Sequence, residues 1–546
     1  MGGPEVGNAA DPIVTRLVNE DKVPFWKKPN LRYMYIWLCK SPVLCCMGVE
    51  MTSGFDSQLI NSLQFSPMFN KYFGDGYLDA KGDWAIEPGM LGFLSSSYQL
   101  GSIFGVPIAP WMNQRFGRRW SIMAGSWIMV VGAILQGLAQ HIAMYIIARI
   151  LLGIGIVFCI ISGAGLIAEL GHPKERPVLT SLFNASWFIG SIIACAISLA
   201  TVEIKGDWAW RIPSLLQITP SLLQICTVFL LPESPRYLIS HDRDDEAYAI
   251  LVKYHAEGDA DSLLVQAEMA QMRATIKMEM EASKQSWMDL LRTAGMRRRV
   301  FITVFIGLFT QMSGNTLLSY YSNLLFGMMG FDTAYAKSRI NIANQTWGFF
   351  NATVLALVVT RYRRRWMYMT SATAMLCVFI GMTVSFHALK MADNAGTHNG
   401  QAAISALFFY FAYSPAYNMG NNALTYTYLV ELWPYSQRTR GIGVMQIWGK
   451  LAGFFSTNVN PKALTAIGWK YFAIYCAWIF FELAFIYWFY PETYKRTLEE
   501  LAFLFEDADL NERATAAVEK SLAHGNDTGL QQTTTIEEAP VPGSKA

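Results

Sequence analysis

The chain has 546 residues, of which 53% are hydrophobic, 14% aromatic and only 15% charged, too little charge for a water-facing surface, so lipid must solvate much of it. The net charge of +2 points to neither nucleic acid nor an acidic partner, and the positions of the basic residues matter more than their sum. The cysteines (Cys39, Cys45, Cys46, Cys159, Cys195, Cys226, Cys377, Cys476) fall in apolar segments with no CxxC pair, which excludes a disulfide framework or zinc site and reads as core filler.

The polar start, through about residue 30, lacks the basic region, short apolar core and cleavage site of a signal peptide, so the first apolar segment is expected to be retained. A 19-residue window predicts spans near 41–62, 89–112, 120–138, 143–168, 178–201, 211–231, 300–327, 340–360, 366–388, 402–430, 442–460 and 470–490. Each can cross a hydrocarbon core of about 30 Å as a helix, the form that satisfies its own backbone in lipid. The expected fold is all-α and integral to the membrane, with twelve transmembrane helices in two pseudo-symmetric six-helix bundles. Its divisions are an N-terminal segment 1–40, a first bundle 41–231, a charged helical connector 232–298, a second bundle 299–491 and a tail 492–546 whose polar end reads as disordered.

Basic residues mark alternate loops: Arg115, Arg118 and Arg119; Lys174 and Arg176; Arg361 to Arg365; Arg438 and Arg440. By the positive-inside rule these loops, the connector and both termini are cytoplasmic, and the acidic 63–88 loop lies outside, although outer lysines dilute the bias. The sequons at Asn184, Asn344 and Asn351 sit in apolar spans and that at Asn526 in the tail, so none is expected to carry glycan.

Three patterns recur in order in both halves. Arg115-Phe-Gly-Arg-Arg119 matches Arg361-Tyr-Arg-Arg-Arg365, Glu169-x6-Arg176 matches Glu431-x6-Arg438, and Pro232-Glu-Ser-Pro-Arg236 matches Pro491-Glu-Thr-Tyr-Lys-Arg496. Guanidinium and carboxylate groups at helix ends can form pairs while one face is closed and release them when it opens. Arg115, Arg118, Arg119, Glu169, Arg176, Glu233, Arg236, Arg364, Glu431, Arg438 and Glu492 therefore form a candidate cytoplasmic gate; singly, each also serves as a positive-inside anchor or loop cap.

On these motifs (RFGRR, PESPRYL and PETYKRTLEE) the chain resembles the sugar porter branch of the major facilitator superfamily over nearly its whole membrane region. GFDSQLINSLQ, LVKYHAEGD, QMSGNTLLSYY and STNVNPKAL look most like the fungal lactose permease and cellodextrin transporter group. The resemblance implies alternating access by a monomer in the plasma membrane, with substrate held between the halves. It implies sugar, proton and bilayer as partners, and neither cofactor, metal nor nucleic acid. Gly153-Ile-Gly155 lacks the later glycine of a dinucleotide loop and there is no P-loop, so an enzyme is not expected.

Asp56 and Arg149 lie deep in the first and fourth spans, where a charge is costly unless paired or reached by water. In the resembling family such a pair marks proton-coupled symporters. The alternative is a static pair that fixes register. Glu50 and Lys450 are unexpected charges that read first as snorkelling to an interface, while Lys450 in the cavity would favour an anionic substrate.

A sugar site needs amides and aromatic stacking faces. Span seven offers Thr310, Gln311, Asn315, Tyr320 and Tyr321, span five Asn184 and Trp187, and the second half Asn344, Asn422 and Tyr426, with Asn351, Asn418 and Asn421 nearby. Thr310 stands where hexose porters commonly have the first of two glutamines, which argues against a standard glucose site. Gln114 and Thr360 replace the family's loop acids, and Arg363 its glycine. The expected function is proton-coupled import of a neutral sugar (disaccharide, glycoside or hexose); the alternatives are transport of a sugar acid or fungal secondary metabolite, and a non-transporting sugar sensor.

Overall fold

The computed structural model describes residues 46–78, 82–172, 176–283, 287–358, 362–397, 399–433 and 437–493. The first half contains α1 (Cys46–Leu63), α2 (Pro67–Phe73), α3 (Pro88–Phe116), α4 (Arg118–Gly137), α5 (Ile142–Leu170), α6 (Arg176–Thr201), α7 (Trp208–Leu216) and α8 (Ile218–Thr227). Three connector helices follow: α9 (Pro235–Ile239), α10 (Asp244–His255) and α11 (Leu263–Ser283). The second half contains α12 (Ala294–Met312), α13 (Asn315–Tyr320), α14 (Ser322–Met328), α15 (Ala334–Val358), α16 (Arg364–Asn394), α17 (Gly400–Tyr417), α18 (Thr425–Leu432), α19 (Arg438–Ile467) and α20 (Lys470–Phe489).

Among the described residues, six segments are long and apolar enough by themselves to cross a membrane: Arg118–Gly137, Ile142–Ile167, Trp208–Leu230, Ala294–Tyr320, Arg364–Asn394 and Lys470–Phe489. The remaining spans, α1, α3, α6, α15, α17 with α18, and α19, are thinned by Ser, Asn, Gln and Gly, and they build the middle of the molecule: α3 packs on α19 and α6 on α15 across the two bundles. Within the bundles the pairs α1 with α6, α3 with α5 and α4 with α8 are repeated as α12 with α19, α15 with α17 and α16 with α20. Small residues permit the tightest of these approaches. A side chain at Gly54 would run into the Trp187 carbonyl, and one at Gly190 into that of Met51, so α1 and α6 meet backbone to backbone.

Three of the interruptions in the described spans have a local cause and a substitute donor. Gly314, with φ +97, breaks span seven between α12 and α13, and Tyr417 and Tyr413 donate to the freed carbonyls of Thr310 (2.7 Å) and Ser313 (3.0 Å). Pro415 in α17 has no N–H for the carbonyl of Phe411, and the Trp347 indole supplies one at 3.1 Å. Beyond Pro415 the span loosens into a π-turn at Asn418–Asn422, the geometry that often marks a moving part. Pro461 in α19 likewise frees the carbonyl of Thr457, to which Tyr321 donates.

The halves are stitched together away from the Arg/Glu motifs. Ser322 donates to Asn61 (2.8 Å), Gln64 to the carbonyl of Tyr320 (2.9 Å), Asn341 to Ser62 (3.3 Å), Gln345 to Gln58 (3.2 Å) and Asn458 to Ser96 (3.3 Å). The connector is anchored by His255, buried between the Glu268 carboxylate (2.6 Å) and the carbonyl of Leu170 at the end of α5 (3.2 Å). The expectation that the cysteines fill the core holds for Cys159 and Cys195 and fails for Cys226 and Cys377, which are exposed on the apolar outer faces of their helices.

Candidate functional site

A cavity of about 290 Å³ opens between the bundles. Its wall comes mostly from the second half: Asn315, Leu318 and Ser319 from α13, Asn344 and Gln345 from α15, Tyr410, Tyr413, Ser414 and Tyr417 from α17, and Asn418 and Asn422 from the π-turn. The first half adds Glu50, Trp187 and Phe188, the last two edge to face with centroids 5.1 Å apart. Amides, hydroxyls and flat rings thus surround a space with a single acid in its lining.

Much of the wall is cross-linked. Asn418 donates to Asn351 (2.6 Å), Asn422 to Asn418 (2.9 Å), Asn351 to Ser414 (3.0 Å) and Ser319 to Asn315 (3.2 Å), which orients the amides before anything binds. Asn344 reaches the hydroxyl of Tyr410 only at 3.5 Å, and its Oδ1 is buried without a partner.

Of the substrate residues expected from sequence, Asn315, Trp187, Asn344 and Asn422 are brought together in this wall, and Thr310, Gln311, Tyr320 and Tyr321 are not. Thr310 bonds back to the carbonyl of Gly307 at 2.8 Å, Gln311 lies beside Gly453 of α19, and Tyr321 is wholly buried capping the carbonyl that Pro461 frees. Tyr320 turns toward the first half, among the electrostatic neighbours of Arg149. The turn at Gly314 rotates α13 relative to α12, so residues a few positions apart face different partners. The side chains of Asn184, Tyr426, Arg176 and Arg438, and Thr360 as a whole, lie outside the described residues. Tyr410, Tyr413 and Tyr417 were not singled out from sequence, although their spacing of three and four puts them on one helical face.

Asp56 and Arg149 meet, with Arg149 Nη1 at 3.5 Å from Asp56 Oδ1 and both side chains buried. The pair is loose: Asp56 Oδ2 and Arg149 Nε and Nη2 have no hydrogen-bond partner among the described residues. Its tightest bond comes from elsewhere, as Gln217 Nε2 donates to Asp56 Oδ1 at 2.6 Å. The Arg149 guanidinium also lies over the Tyr98 ring, 5.4 Å from its centroid. Glu50 and Lys450, from opposite bundles, are electrostatic neighbours, and Lys450 is not part of the cavity wall.

The Arg/Glu motifs form two matching clusters, each within its own bundle. Arg118 pairs with Glu169 at 3.0 Å, Glu233 accepts from the backbone N–H of Arg118 (3.1 Å) and Ser234 (2.9 Å), and Ser234 Oγ donates to Glu169. Arg364 pairs with Glu431 at 3.3 Å, Glu492 accepts from the N–H of Arg364 (3.0 Å) and Thr493 (3.1 Å), and Thr493 Oγ1 donates to Glu431 at 2.5 Å. Around them, Arg119 caps the carbonyl of Phe229 (3.0 Å), the carbonyl of Arg115 accepts from Tyr237 (3.4 Å), and Arg236 lies in α9. Between described residues, these motif bonds do not cross from one bundle to the other.

The comparisons with known proteins agree with this architecture. Residues 43–505 match the model of the family described as "Sugar (and other) transporter". The chain is 26% identical over 473 residues to the high-affinity glucose transporter 1 of Candida albicans, covering 84% of each chain. It is 28% identical over 487 residues to the MFS-type transporter criB of Aspergillus cristatus, covering 87% of this chain and 96% of that one. Among solved structures, the inward open conformation of the xylose transporter XylE from E. coli superposes with a TM-score of 0.69 at 20% identity, covering 86% of this chain and all of that one, a likeness of fold. With two six-helix bundles, duplicated Arg/Glu clusters and a match over most of its length, the chain belongs to the sugar (and other) transporter family of the major facilitator superfamily, a family of carriers and not of enzymes.

Proposed function

We propose that the chain imports a neutral sugar together with a proton by alternating access, as a monomer in the plasma membrane with both termini cytoplasmic. The observation that carries the sugar reading is the cavity wall: amides held in place by one another, three tyrosines and the Trp187 face. Such a surface reads hydroxyl groups and a ring face. Its volume, about 290 Å³, is at the small end for ligand sites and suits one sugar ring better than two. This favours a hexose or pentose over the disaccharide suggested by the resemblance to the lactose and cellodextrin group. Lys450, outside the wall and answered by Glu50, gives an anionic substrate no support.

The proton reading rests on Asp56 and Arg149. A buried pair at 3.5 Å with three unsatisfied atoms is poised to part when Asp56 takes a proton, and parting gives the loaded carrier a different balance between its open faces. The structural neighbour XylE is itself described as a proton:xylose symporter.

Uptake of labelled D-glucose, D-xylose, cellobiose and lactose in cells without their own sugar carriers, with and without an uncoupler, tests both parts. Uncoupler-sensitive accumulation of at least one sugar is expected, and Asp56→Asn should abolish accumulation while exchange continues. No uptake of any sugar refutes the sugar reading; accumulation that survives Asp56→Asn refutes this route for the proton.

A further inference from the structure

Glu482 is a carboxyl group in an otherwise apolar stretch of α20, with no solvent exposure. Its Oε1 accepts from Asn421 Nδ2 at 3.1 Å, and its Oε2 lies 2.5 Å from Ser313 Oγ. Asn421 belongs to the π-turn of span ten, and Ser313 ends α12 at the break in span seven. The segments beyond these two irregular points carry Asn315, Ser319 and Asn422 into the cavity wall, which Glu482 itself does not line.

The hydrogens can be counted. Ser313 Oγ is 2.7 Å from the carbonyl oxygen of Phe309 as well as 2.5 Å from Glu482 Oε2, and a hydroxyl has one hydrogen to give. A carbonyl has none. Both contacts are hydrogen bonds if Ser313 donates to Phe309 and Glu482, as a carboxylic acid, donates to Ser313. No lysine, arginine or histidine among the described residues pairs with Glu482. Its titratable neighbours are Tyr368 from α16, Tyr413 and Tyr417 from α17, and Tyr490 just after α20, while α12 presents Ser313 and apolar rings.

We propose that Glu482 binds a proton and serves as a latch between the break in span seven and the π-turn in span ten, holding the sugar-lining segments in one arrangement. With the proton bound, Ser313 spends its hydrogen on Phe309 and the end of α12 stays wound. When the proton leaves, Ser313 must turn that hydrogen to the carboxylate, and Phe309 O keeps only the 3.3 Å bond from the Ser313 N–H. The last turn of α12 then loosens where span seven can bend. Glu482 is thus a positioning residue; its chemistry stands independently of Asp56, and its consequence for transport rests on the proposed sugar reading.

Infrared difference spectra of the full chain in lipid nanodiscs, titrated over pH, test the latch without any substrate. The wild type should show a protonated carboxylic acid band that Glu482→Gln removes, that Asp56→Asn leaves in place and that Ser313→Ala shifts. Glutamine can donate to Ser313 and accept from Asn421, so Glu482→Gln mimics the protonated form and should elute as a single species. D-glucose counterflow without a proton gradient should fall severalfold at high pH in the wild type and vary less than twofold in Glu482→Gln. A band unchanged by Glu482→Gln, or a pH profile unchanged by it, overturns the proposal. Absence of glucose counterflow in both proteins shows only that glucose is not the sugar carried, a question the four-sugar uptake assay settles separately, and the infrared band then decides the latch alone.

Discussion

Gln217 Nε2 stands 2.6 Å from Asp56 Oδ1, nearly an ångström closer than the arginine that shares that oxygen. A carboxylate holding two such donors is fixed by the amide and balanced by the guanidinium, and hydrogen bonds to charged groups are worth about 1.5–3 kcal/mol. Gln217→Leu should therefore lower uphill sugar accumulation by about tenfold while leaving counterflow within about twofold. Equal loss of both would make Gln217 a packing residue only, and no loss of accumulation would remove it from the coupling machinery.

The two Arg/Glu clusters share the same main bonds, and between described residues those bonds stay within one bundle. Glu169→Gln and Glu431→Gln should each destabilise the protein by about 1–2 kcal/mol, the modest figure fitting partly exposed pairs. Because Glu169 and Glu431 share no partner among the described residues, the double variant should lose close to the sum. Thermal unfolding of the purified variants reads this directly; a double variant no worse than either single one would show that the clusters act on one another.

Trp347 and Pro415 form a compensating pair, the indole supplying the hydrogen that the proline cannot. Trp347→Phe leaves the Phe411 carbonyl short of a donor, at a cost of about 1–3 kcal/mol. Pro415→Ala restores a backbone N–H, so Trp347→Phe should cost much less in that background. The four-protein cycle of melting temperatures checks it, and simple additivity would show that the indole bond contributes nothing.

The α1–α6 contact tolerates no side chain at its closest points. Gly54→Val and Gly190→Val should each cut the yield of monodisperse protein by more than half, whereas Gly165→Ala, with open space around it, should match the wild type. Size-exclusion profiles of the three variants distinguish these outcomes.

Much of the scaffold could be read from sequence because it rests on periodicity and repetition: apolar runs long enough to cross a bilayer, and arginines and glutamates recurring in the same order. The meeting of Asp56 and Arg149 was also legible, since two charges deep in apolar spans must find each other or water. Which faces of a broken helix point where was not. Tyr321 resembles a stacking residue until Pro461, far along the chain, is seen to leave a carbonyl for it. Glu482, a lone acid in an apolar run, was not singled out from sequence, and its meaning depends on Ser313 and Asn421, whose positions only the folded chain supplies. Gln217 escaped notice for the same reason.

Several hydrogen bonds that hold the two halves together, from Ser322 to Asn61 and from Gln345 to Gln58 among them, join amides and hydroxyls directly, and a lysine enters only at one remove, where Lys337 donates to the Asn323 that bonds the carbonyl of Gln64. In membranes such bonds average about 0.6 kcal/mol each, so the whole seam is worth only a few kcal/mol. Parting those direct bonds breaks no ion pair. The rate at which these contacts part should therefore depend little on the salt concentration of the surrounding medium.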